Sequence, residues 1–115
     1  MDIRQGDRGD RRMDVTLTIE KQTVHLKIKG DAVLENINII DEKLMDVSVS
    51  GATRLEIDFS ECGQVSGTFV GKLMAFHSSF AEKNGEMEIV KCSKPVNDLF
   101  ELIKLDKVIK IQCQT

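Results

Sequence analysis

Two hydrophobic periods alternate along this chain, and their order leaves few folds open. Val15, Leu17 and Ile19 alternate with Thr16, Thr18 and Glu20, then Val24, Leu26 and Ile28 alternate with His25, Lys27 and Lys29. A period of two marks strands with one buried face, here a hairpin turning near Lys21-Gln22-Thr23. Gly30 and Asp31 break the second strand, after which Val33, Ile37, Ile40, Leu44 and Val47 recur at helical spacing as far as Gly51. Leu55, Ile57 and Phe59 return to period two as a third strand that finishes in the polar loop Ser60-Glu61-Cys62-Gly63-Gln64. Phe69, Val70, Leu73, Phe76, His77 and Phe80 then form one stripe of a second helix, closed by Asn84-Gly85, residues that tolerate the left-handed cap conformation. Met87, Ile89 and Lys91 mark a short fourth strand. Pro95 opens a third helix with the stripe Val96, Leu99, Phe100 and Ile103, and Val108 to Cys113 supply a last strand.

The order β-β-α-β-α-β-α-β predicts an α/β fold, with a mixed sheet of four to five strands and helices packed against it. The alternation makes the sheet largely parallel, with an antiparallel pair at one side. A chain of 115 residues is long enough for one such core and not for two. The opening MDIRQGDRGDRRMD holds four Arg, four Asp and almost nothing apolar, so residues 1–14 read as a flexible charged tail and 15–115 as the domain. Its Arg8-Gly9-Asp10 is an adhesion tripeptide only where an extracellular receptor can meet it.

A net charge of -3, with five Phe and no Trp or Tyr, gives neither the cationic surface nor the stacking platform that nucleic acid requires. No apolar run is long enough to span or insert into a membrane, and no signal segment opens the chain, which points to the cytoplasm. Cys62, Cys92 and Cys113 are odd in number and widely spaced, so they read as reduced thiols rather than a disulfide framework or a zinc site. No metal or other cofactor is implied.

The stretch Gln64-Val65-Ser66-Gly67-Thr68-Phe69-Val70-Gly71-Lys72-Leu73 carries the functional question. A phosphate loop of the Walker kind needs four residues between its glycines and a hydroxyl after the lysine. Here the glycines are one residue too close and Leu73 follows Lys72. His25 falls in the polar phase of a strand and His77 along a helix, neither beside a nucleophile elbow, and the carboxylates Glu20, Glu56, Asp58, Glu86 and Glu88 fit solvent-facing strand positions. Asp58 alone stands close to the loop before the stretch. By position, Ser66, Gly67 and Thr68 open a helix. A hydroxyl there is a cap, and it is also a site where added phosphate is stabilised by the helix dipole.

The segment LEIDFSECGQVSGTFVGKLMAF resembles the central part of STAS domains, the fold of bacterial anti-sigma factor antagonists. In those, a strand ending in Asp-Leu-Ser leads through a short loop to Asp-Ser-Ser-Gly and an apolar helix. Asp58-Phe59-Ser60 matches the first part, and Gly71 with Leu73 matches the helix. KNGEMEIVKCSKPVNDLFELIKLDKVIKI resembles the family's last third, so the resemblance runs from about Val15 to Ile111. In a gapless alignment Ser66 takes the place of the family's Asp, Gly67 its first Ser, Thr68 the phosphate-accepting Ser and Phe69 the Gly. Asp31 stands near the acidic position after the second strand. The resemblance therefore implies a non-enzymatic partner-switching regulator, with Thr68 as phosphoacceptor and Ser66 as second choice. Its partner-binding surface would be Asp31, Gln64, Ser66, Gly67, Thr68, Phe69 and Lys72. The implied partners are an anti-sigma factor with serine/threonine kinase activity and a protein phosphatase. The alternative is an unphosphorylated adaptor, either a scaffold component or the cytosolic subunit beside a lipid transporter ATPase.

Overall fold

Every predicted element forms, in the predicted order. The computed structural model describes residues 13–33 and 36–112. β1 (Asp14–Glu20) and β2 (Thr23–Ala32) pair antiparallel through a two-residue turn in which Lys21 takes φ 60°. α1 (Ile37–Ser50) leads to β3 (Arg54–Val65), α2 (Gly67–Glu82), β4 (Glu86–Cys92), α3 (Lys94–Leu102) and β5 (Lys110–Ile111). The sheet order is β1-β2-β3-β4-β5, parallel everywhere except between β1 and β2.

One face of the sheet is apolar and carries the helices. Val24, Leu26 and Ile28 of β2, Leu55, Ile57 and Phe59 of β3, and Met87 and Ile89 of β4 are buried beneath Ile40, Leu44 and Val47 of α1, Phe69, Leu73 and Phe80 of α2, and Val96 and Phe100 of α3. Phe59 makes edge-to-face contacts with Phe69 at 6.3 Å and with Phe100 at 5.5 Å between ring centres, which fixes α2 and α3 on the same strand. Met13, just ahead of β1, is also buried in this core, whereas residues 1–12, with Arg8-Gly9-Asp10, lie outside the described residues.

Five expectations are corrected. Gly30-Asp31 does not end β2, and Ser60–Gln64 is not a loop. Both strands continue side by side, Gly30 opposite Cys62 and Asp31 opposite Gln64, because two register shifts re-aim the pleat so that Cys62 and Val65 still point inward. The last strand is only Lys110–Ile111. A 3-10 turn at Leu105–Lys107 takes up the preceding chain to bury Leu105 and Ile109, and Val108 stays exposed. Glu88 is not solvent-facing but 3% exposed, its carboxylate held by the Arg54 guanidinium, which also reaches Glu56 at 2.9 Å and Glu86 at 3.1 Å. Cys92 is disulfide-bonded rather than a reduced thiol, while Cys62 is free and Cys113 lies outside the described residues.

Asn84 closes α2 at φ 66° as the sequence predicts, but Gly85 is there for space. A Cβ on it would stand 2.7 Å from the Phe80 ring. Arg54 ties β3 to β4 across the face opposite the helices, and removing it would leave the Glu88 carboxylate buried without its cation. Arg54→Met is expected to lower unfolding stability by about 3 kcal/mol in urea melts, and adding Glu88→Leu should recover most of that loss. An additive double variant would show that the two side chains are not coupled.

Candidate functional site

The site is built where β2 and β3 end and α2 begins. The Ser66 N–H donates to the Ala32 carbonyl at 2.8 Å, tying the start of α2 to the last residue of β2. Ser66 is the helix cap. Its backbone is extended (φ -84°, ψ 161°), and its Oγ accepts from the Phe69 N–H at 3.2 Å. Gly67 and Thr68 follow as the first two helical residues, both exposed, with N–H groups that have no acceptor within the helix. Among the described residues the Thr68 hydroxyl makes no protein hydrogen bond. The two hydroxyls are thus divided in role: one holds the helix, the other faces solvent.

Gly71 and Lys72 lie inside the helix rather than in a loop, so no phosphate-encircling turn forms and the Walker reading fails on geometry as well as on spacing. Lys72 sits one turn after Thr68 and pairs with Asp41 of α1 at 3.3 Å, both side chains 44% exposed. Beside the cap, Asp31 accepts from Gln64 Nε2 at 3.2 Å, and its other carboxylate oxygen lies 3.1 Å from where Gly63 would carry a Cβ. Glycine at 63 gives that carboxylate room to lie against β3. Asn36 donates from its side chain to the Asp31 carbonyl at 2.7 Å, holding the entry to α1 against the same strand end.

Of the residues predicted for this surface, Asp31, Gln64, Ser66, Gly67, Thr68 and Lys72 are brought to one end of the sheet around the start of α2. Phe69 is the exception. At 0% exposure it belongs to the core against Phe59 and offers nothing to a partner, because the cap directs the third helical residue inward. Asp41 and Asn36 join the site without having been foreseen. Asp41 has only its helical phase to mark it, and Asn36 no signal at all. Among the described residues no group of His, Cys, Asp or Glu is placed to hold a metal ion.

Glu61 and Cys62, near these strand ends, are shifted. The Lys27 ammonium, hydrogen-bonded to Glu61 at 2.7 Å, holds that carboxyl below the usual carboxylate range, with Lys29 adding to the effect. Burial pushes the Cys62 thiol up, and its S–H donates to the Gln64 carbonyl at 3.3 Å. Native protein at pH 8 is therefore expected to leave Cys62 unalkylated by iodoacetamide, with labelling appearing only on unfolding. The split between the two hydroxyls is testable by melts. Ser66→Ala should cost about 1 kcal/mol as a lost cap, and Thr68→Ala less than about 0.5 kcal/mol. Equal losses would contradict the assignment.

The comparisons agree with this architecture. No curated protein matches the chain by sequence. Among solved structures, an anti-sigma factor antagonist from Mycobacterium paratuberculosis superposes with a TM-score of 0.79 at 14% identity, covering 88% of this chain and 86% of that one. The anti-sigma factor antagonist SpoIIAA in its unphosphorylated form gives 0.74 at 17% identity, covering 89% of each chain. The Bacillus cell fate determinant SpoIIAA in its phosphorylated form gives 0.69 at 16% identity, covering 89% of this chain and 92% of that one. At such identities the likeness shows a shared fold. Residues 15–111 match the family described as "Mlab, STAS domain", and the chain belongs to that STAS family.

Proposed function

We propose that this protein is a partner-switching regulator that binds an anti-sigma factor with serine/threonine kinase activity through the surface around the start of α2, and that phosphate on Thr68 ends the binding. The observation that carries the reading is the free, exposed hydroxyl at the second position of α2, beside a cap that does not depend on it. A phosphoryl group there gains from the dipole and from two unpartnered N–H groups, so the domain tolerates it. A partner that docks on the same turn must instead desolvate about two negative charges, a penalty of several kcal/mol. Occupancy then follows the modification, and a protein phosphatase resets it. In this reading the domain is a cytoplasmic binding module, not an enzyme.

A second reading is favoured by the description of the matched family and by the core position of Phe69 where the motif has glycine. It makes the chain an unphosphorylated adaptor, a scaffold component or the cytosolic subunit of a lipid transporter. The two are separated by incubating the protein with its cognate kinase and ATP. The first expects a mass gain of one phosphate, lost in Thr68→Ala, and a partner complex broken by Thr68→Glu. A complex with a transporter ATPase that survives Thr68→Glu would establish the second instead. Modification persisting in Thr68→Ala would move the acceptor to Ser66.

A further inference from the structure

We infer that this chain associates head to tail with further copies of itself, the outer side of α1 meeting the end of α3 and the turn beyond it. Seven large apolar residues are exposed among the described residues, and five of them fall in these two places. Met45 and Val49, 63% and 76% exposed, stand one turn apart on the solvent side of α1. Helical spacing puts Asp41 on one flank of that pair and Glu42 and Asp46 on the other, with Lys43 turned away. Leu102, Ile103 and Val108 are 78%, 44% and 46% exposed at the other site. They are interleaved with Lys104, Lys107 and Lys110, against which stand only Glu101 and Asp106.

The two patches are matched in kind: each has exposed apolar side chains at its centre, and their charged rims are opposite in sign. Among the described residues, Glu42 and Asp46 on one patch and the three lysines on the other have no ion-pair partner within the chain. Complementary rims of this sort select a partner and speed encounter, while the aliphatic centres supply the burial. One chain therefore carries both halves of a contact. α1 packs by β1 and α2, whereas the turn after α3 lies by β5 at the far end of the strand order. Joining two copies through one contact thus leaves a free patch of each type for a further copy, and the association grows beyond a dimer, into a filament or a closed ring.

The test uses the full chain in sedimentation velocity at low salt. The average mass should rise continuously with concentration, and it should fall when salt goes from about 0.05 to 0.5 M, which shortens the screening length roughly threefold. Glu42→Lys with Asp46→Lys, and separately Lys104→Glu with Lys107→Glu, should each give a monomer, and mixing the two variants should restore association. All four positions are exposed, and circular dichroism verifies that each variant is folded. A wild-type protein that stays monomeric throughout would overturn the inference. So would variants that associate as the parent does, or a mixture that stays monomeric.

Discussion

The contact on which the rest of the molecule depends is the aromatic cluster at Phe59. That one ring, on the central strand, meets Phe69 at the third position of α2 and Phe100 near the end of α3. Burying three phenylalanines edge to face against each other supplies apolar burial and a preferred geometry together. Because Phe69 is seated there, the two residues before it must emerge at the surface and Ser66 must turn back to cap them. The exposure of Thr68 follows from a buried residue next to it.

This coupling explains why the fold was more legible than the site. The helical and strand periods of the sequence identify every strand and α-helix, since each period is imposed by a buried face that the structure retains. They failed where polar residues continue a strand. Gly30-Asp31 and Ser60–Gln64 looked like breaks, yet pairing between β2 and β3 continues through both by means of register shifts. No local signal in the sequence reveals that a second chain segment will be present to satisfy those backbone groups. Phe69 carries two conflicting signals: its place in the motif speaks of a surface and its place on the apolar stripe of α2 speaks of the core, and the cluster at Phe59 decides for the core.

Charge was also hard to read in one dimension. Glu88 occupies the polar phase of β4, and the lysines near it in sequence, Lys83 and Lys91, are not its partner. Its partner Arg54 comes from β3, 34 positions away. The Lys72 and Asp41 pair likewise joins α2 to α1 across the start of the functional helix. Such pairs lie in contacts between elements, whereas sequence patterns report each element by itself.

The two shifts in the pairing of β2 with β3 make the stretch ahead of α2 sensitive to length in a way that its polar composition hides. A single residue inserted or removed just ahead of Cys62 would turn Cys62 and Val65 out of the core by a half-turn of the pleat and draw Ser66 off its Ala32 anchor. Substitution of the exposed Ser60 is then cheap, whereas a single-codon insertion or deletion would disconnect the helix start from its strand.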